Sequence, residues 1–139
     1  MPLLLQEAWN VIDKLAWICI KEGRLLCVRS HGKTLFYLPG GKRETGESDE
    51  QALLREIDEE LSVQLVQQSI RSLGRFVAPA DGKVGVEVML SCYQADYQGS
   101  LQCAAEIAEL DWLDCSDLAR CSEGTRRVLL ALQKRGALA

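Results

Sequence analysis

Between Gly41 and Val63 the chain sets Glu47 after five intervening residues and, after seven more, the run Arg55-Glu56-Ile57-Asp58-Glu59-Glu60-Leu61-Ser62-Val63. If that run is helical, at about 100° per residue, Glu56, Glu59 and Glu60 fall within an arc of roughly 100°. They border the apolar stripe of Leu53, Ile57 and Leu61. Like charges three and four residues apart repel by a few tenths of a kcal/mol per pair, so this clustering asks for a compensating cation or a solvated face. A hard divalent cation with oxygen ligands meets the first requirement, most simply Mg²⁺ with Mn²⁺ as a substitute. Such an ion neutralises a diphosphate and acidifies bound water, which is the chemistry needed to cleave an otherwise inert anhydride. An acidic helix that only solubilises a surface is the competing reading, but it gives no reason for Gly41, Glu47 and Arg55 at set distances.

The stretch resembles the Nudix box, Gly-x5-Glu-x7-Arg-Glu-U-x-Glu-Glu-x-Gly-U with U a bulky aliphatic residue. Every position matches except one, where Ser62 stands in place of the last Gly. The resemblance implies a Nudix α/β/α sandwich with a mixed β-sheet, within an α/β class that the order of elements already indicates. It implies Glu59 and Glu60 as metal ligands, Glu56 as ligand or general base, and the Gly40 carbonyl as a further ligand. Arg55 would orient the carboxylates through its planar fork, and Glu47 would divide its role between support and ligation. Because some Nudix proteins take the base from a later loop, Glu106 is the second candidate for that role. Arg29 and Lys42 are candidates for binding phosphate oxygens. The Ser62 departure bears on stability, since a left-handed backbone is common just after a helix and a non-Gly residue there costs roughly 1 kcal/mol.

The elements that must position these groups are legible in outline. Ser48 followed by Gln51 is a capping-box pattern, and Asp49 and Glu50 put negative charge at the positive end of the dipole, so a helix is expected from about Asp49 to Leu61. Ala52, one turn before Glu56, would project into the same arc and leave room for metal and phosphate. Upstream, Lys14 to Ile20 and Arg24 to Arg29 read as a hairpin turning at Lys21-Glu22-Gly23. Phe36 to Leu38 reads as a short strand ended by Pro39 and Gly40-Gly41, glycines that permit a sharp turn and close approach to a ligand. Downstream, strands are expected over Ile70 to Val77, Gly85 to Tyr97 and Leu110 to Leu113, and a helix over Thr125 to Lys134. His31 falls in a turn-like segment, and Trp17 and Trp112 in strand-like runs expected to be core.

The 139 residues fit one domain over 1–139, able to bury roughly two thirds of its unfolded surface without disulfides or a structural metal. A net charge of -4 offers no basic field for duplex nucleic acid. The six cysteines lack zinc or redox spacing and several sit in apolar runs, so they read as reduced structural residues. The opening Leu3 to Leu5 is soon interrupted by Glu7 and Asp13, too short for a span or a signal core, and points to a cytoplasmic protein without a membrane partner. It would serve either as a buried N-terminal strand or as part of a homodimer face.

Taken together, the expectation is a Mg²⁺-dependent pyrophosphohydrolase acting on a nucleoside diphosphate linked to another moiety. A nucleoside triphosphate, oxidised or not, is the first substrate. Pro79, sixteen residues beyond the box, resembles a marker of Nudix ADP-ribose pyrophosphatases and makes ADP-ribose or a nucleotide sugar the alternative. A nucleotide-binding regulatory module without turnover is the rival from another class, although none of the box carboxylates is missing.

Overall fold

The computed structural model describes residues 10–139, so Leu3 to Leu5 lie outside the described residues. In chain order the strands are β1 (Val11–Ile18), β2 (Ile20–Lys21), β3 (Arg24–Ser30), β4 (Gly40–Gly41), β5 (Gln64–Leu65), β6 (Arg71–Pro79), β7 (Glu87–Gln94), β8 (Tyr97–Gln98) and β9 (Ile107–Leu113). Two helices, α1 (Asp49–Leu61) and α2 (Glu123–Lys134), join them, with 3₁₀ turns at Gln67–Ser69 and Cys115–Arg120.

Successive side chains of a strand point to opposite faces, and β1 is apolar on both. Leu15 and Trp17 pack on one side with Leu53, Ile57 and Leu61 of α1, while Ala16 and Ile18 pack on the other with Val128, Leu129 and Leu132 of α2. Leu26 and Val28 of β3 share the first cluster, and Leu25 and Cys27 the second. The strands thus form a central layer with one helix on each face, the expected α/β/α sandwich. Each fully buried aliphatic side chain contributes about 1.5–3 kcal/mol.

A strand covered on both faces belongs in the interior of a sheet. β1 accordingly pairs parallel with β7 and antiparallel with β4, in a mixed sheet of order β4-β1-β7-β6. β2, β3 and β9 form a second sheet, and β5 pairs with β8. This corrects the expected long hairpin. The chain leaves the first sheet at Cys19, and only Ile20–Lys21 returns against Leu25 and Arg24. Glu22 (φ 52°) and Gly23 (φ 75°) make that two-residue turn, both with the positive φ that a tight hairpin demands. Phe36 to Leu38 is likewise no regular strand. Tyr37 bridges Val28, Phe36 bridges Cys121, and Pro39 prevents the ladder from extending. The last strand is longer than its apolar run because pairing with β3 carries it from Ile107 to Leu113.

Helix α1 has the expected limits. Gln51 N donates to Ser48 Oγ at 3.2 Å and Ser48 N to Gln51 Oε1 at 2.9 Å, closing the capping box. At the other end Ser62 adopts φ 59°, ψ 31°, the left-handed conformation that favours the family glycine. Among the described residues no helix is long and apolar enough to cross a membrane.

Candidate active site

The box loop and α1 are tied together by Arg55. Its Nε donates to Glu47 Oε2 at 2.7 Å and its Nη2 to Glu47 Oε1 at 2.9 Å, a bidentate pair. Nη2 also reaches the Lys42 carbonyl at 3.1 Å, fixing the loop to the helix. The guanidinium and the Glu44 amide hold Glu47 down at about 2. Both Glu47 oxygens are thus engaged by the Arg55 guanidinium. Arg55 Nη1 reaches Glu56 Oε1 at 3.1 Å and Glu59 Oε1 at 3.4 Å.

Close backbone approach requires glycine at Gly40, whereas at Gly41 a side chain would displace the Glu56 carboxylate. A Cβ on Gly40 (φ 142°) would lie 1.9 Å from the Leu15 carbonyl oxygen, and one on Gly41 would lie 2.6 Å from the Glu56 carboxylate. The absence of side chains lets β4 lie between β1 and α1. There the Gly40 amide donates to Glu60 Oε1 at 3.2 Å.

The three box glutamates differ sharply in environment. Glu60 is 3 % exposed, and burial pushes its carboxyl up to about 8, with Glu106 and Glu56 adding to the rise and the Gly40 amide opposing it. Glu56 is half-buried and also raised, by burial first, against the pull of Arg55. The Glu59 side chain is 54 % exposed and turned toward solvent and Arg55. Among the described residues no three acidic, histidine or cysteine side chains already close around one point as a metal cage. The donor set still fits a hard cation. Glu60 is a buried carboxyl with acidic neighbours and one backbone donor, so a divalent ion would offset the charge that burial penalises.

Glu106 joins this group from the loop before β9. Its own side chain is exposed, and it acts electrostatically on both Glu56 and Glu60. The loop is anchored by the His31 amide, which donates to the Glu106 carbonyl at 2.8 Å, so the turn position of His31 buttresses the site through its backbone. Ala105, immediately before it, holds φ 52°, a strained conformation of the kind often found beside functional groups.

A cavity of about 310 Å³ opens from Glu60, Glu106, Gly40 and Gly41 and runs over β1 and β7 to the start of α2. Its far end is formed by Tyr37, Val88, Leu90, Gly124 and Thr125, and Lys14, Lys33, Asp81 and Lys83 also line it. These residues were not singled out in the sequence. Lys14 stands beside Asp13 at the start of an apolar run, which by itself marks no site. Arg29 and Lys42 are not among the lining residues. The Arg29 Nε donates to Glu109 Oε1 at 2.7 Å and its Nη1 to the Lys33 carbonyl at 2.9 Å, while the Lys42 side chain is exposed at the loop. Ala52 does not open onto the arc of box glutamates as expected. It is fully buried with Leu53 and Ile57, because the core beneath α1 extends around to that side. Trp17 is fully buried as expected, whereas Trp112 is only half-buried and lies under the Lys21 ammonium, 5.5 Å from its ring centroid.

Residues 14–132 match the NUDIX domain family. The chain belongs to the Nudix family. A curated Nudix relative, the uncharacterised hydrolase YvcI of Bacillus subtilis, is 26 % identical over 98 residues, covering 70 % of this chain and 62 % of its own length. The solved ORF135 protein of E. coli is 26 % identical, covers 91 % of this chain and 93 % of its own, and superposes with a TM-score of 0.69. A MutT Nudix hydrolase from Burkholderia pseudomallei, 23 % identical, covers 87 % of this chain and 96 % of its own with a TM-score of 0.67. That last likeness bears on the fold alone. The Nudix assignment accounts for the cluster of carboxylates on α1 and for the glycine pair that admits them to the central sheet.

Proposed function

We propose that this Nudix protein is a Mg²⁺-dependent pyrophosphohydrolase that cleaves a nucleoside diphosphate linked to another moiety, with a nucleoside triphosphate, oxidised or not, as the preferred substrate. The observation that carries the proposal is the position of the buried Glu60 at one end of the cavity, beside Glu106 and the β4 glycines. A phosphoanhydride held at that end places its nucleoside toward Tyr37, Val88 and Leu90, where apolar surface and a ring are available. A short chain with few insertions favours the triphosphate over bulkier sugar-linked substrates. Glu56, Glu59, Glu60 and the Gly40 carbonyl would hold the cation. When bound, Mg²⁺ supplies charge neutralisation at the phosphate oxygens and a water of lowered pKa.

The protein's own contribution is orientation and proton transfer. Arg55 keeps the Glu56 carboxylate turned toward β4, and Glu47 keeps Arg55 in place. Glu56 and Glu106 are the two candidates for accepting the proton of the attacking water, one fixed by the arginine and the other free in its loop.

The test is incubation of the purified protein with Mg²⁺ and nucleoside triphosphates, 8-oxo-dGTP, ADP-ribose, nucleotide sugars and dinucleoside polyphosphates, with chromatographic identification of products. Cleavage of one class, reduced at least about 100-fold in Glu60→Gln, is the expected result. Nucleotide binding without cleavage across the panel would replace this reading with that of a regulatory module.

A further inference from the structure

Three lysines line the cavity, and they are not equivalent. Lys33 and Lys83 are exposed at its mouth, whereas Lys14 rises from β1 and is half-buried. Register places Lys14 at the junction of the cavity's two ends. On one side its neighbour Leu15 is paired with Gly41 of β4, and on the other Lys14 itself is paired with Leu90 of β7. The carboxylate end therefore begins on one flank of Lys14 and the apolar end on the other.

The electrostatics of Lys14 are those of an ammonium without a partner. Among the described residues it makes no hydrogen bond, and only longer-range attraction from Glu60 and Glu56 favours its charge. Burial, Lys42 and Lys83 act in the opposite sense and depress its pKa. A cation taken from water without a compensating hydrogen bond is destabilising, and such groups are retained where an anionic ligand completes them. The acidic groups nearby do not complete it, because their charges are those expected to be used in holding a cation of their own.

Building on the nucleotide reading, we infer that Lys14 binds the phosphate that carries the nucleoside, donating from Nζ to one of its anionic oxygens. It is a substrate-positioning residue. Its contact is with a group common to all nucleotides, so it contributes affinity and alignment irrespective of the base. The nucleobase lies beyond it, toward Tyr37 and Leu90.

The experiment compares the wild-type chain with Lys14→Met and Lys14→Gln. Binding of α,β-methylene nucleoside triphosphates bearing each of the four bases is measured by calorimetry in Mg²⁺, alongside steady-state hydrolysis of the natural nucleotides. Loss of one charge-assisted hydrogen bond predicts Kd weaker by roughly 10- to 100-fold for all four bases alike. KM should rise in parallel while kcat stays within a few-fold, and the melting temperature should not fall, since a half-buried charge without a hydrogen-bond partner has been removed. Unchanged Kd and KM in both variants would overturn the inference, as would a loss confined to one base, which would make Lys14 a reader of the base. Binding by the wild type without cleavage would sink the hydrolase reading and leave Lys14 to be judged on Kd alone, whereas cleavage indifferent to Lys14 would sink only the lysine.

Discussion

Ser62 shows how one residue departs from its family without disturbing the chemistry around it. It closes α1 at φ 59°, ψ 31°, and its amide donates to the Asp58 carbonyl at 3.0 Å. An L-residue in that region costs roughly 1 kcal/mol, more than glycine's extra freedom costs in the unfolded chain. Ser62→Gly is therefore expected to raise the melting temperature by about 1–3 °C and leave the hydrolytic rate within a few-fold, measured by thermal denaturation and by product release. A fall in melting temperature would show that the serine side chain compensates for the strain. The neighbouring glutamates illustrate the opposite limit. Glu59 and Glu60 are adjacent and chemically identical, yet one is 54 % exposed in its side chain and the other is 3 % exposed as a residue. Periodicity placed both on one arc of the helix; only the approach of β4 decides which is covered.

At the scale of elements, the start of α1 is held by more than its capping box. Asp49, in the first turn, accepts from the Tyr93 hydroxyl at 2.6 Å and pairs with Arg43, which also reaches Asp13 Oδ2 at 2.8 Å. The network links α1 to β7 and β1, so the helix carrying the glutamates is registered against the central sheet. Tyr93 and Arg43 both lower the Asp49 pKa in the folded protein. A depressed carboxyl contributes stability that is fully present above its unfolded pKa, near 3.8, and is lost as pH falls through the folded value. Asp49→Asn should thus cost about 1 kcal/mol at pH 7, and the difference should shrink as pH falls below about 4. Urea denaturation of both proteins between pH 3 and pH 7 measures this; a gap that does not narrow at all below about pH 4 would mean that the network is not electrostatic.

For the whole molecule, burial sorts the cysteines. All six are free thiols, but Cys19, Cys27, Cys92 and Cys121 are buried and Cys103 is exposed. Burial pushes Cys92 up to about 12 and Cys19 and Cys121 to about 11. Only Cys103 should react with a thiol reagent within minutes in the native protein, Cys115 more slowly, and the other four only on unfolding. Rapid native labelling of more than two thiols would show that the core opens. The same core explains the limits of the sequence. Helix α1, its cap, its left-handed end and the family could all be read directly, because they depend on contacts within a few residues or on a spaced motif. The long hairpin could not be, since two β-rich runs on either side of Lys21-Glu22-Gly23 suit a hairpin locally, whereas the pairing of β1 with β7, more than seventy residues away, depends on burial of both its faces. Ala52 and Trp112 were misplaced for a related reason: a helix or strand pattern indicates a direction, and packing determines how far the core extends around it. The carboxylate cluster was thus determined by the sequence alone. Its cavity, with Lys14, Tyr37 and the start of α2 brought beside Glu60, arises only when three distant segments fold against the same sheet, and that convergence is a property of the tertiary structure.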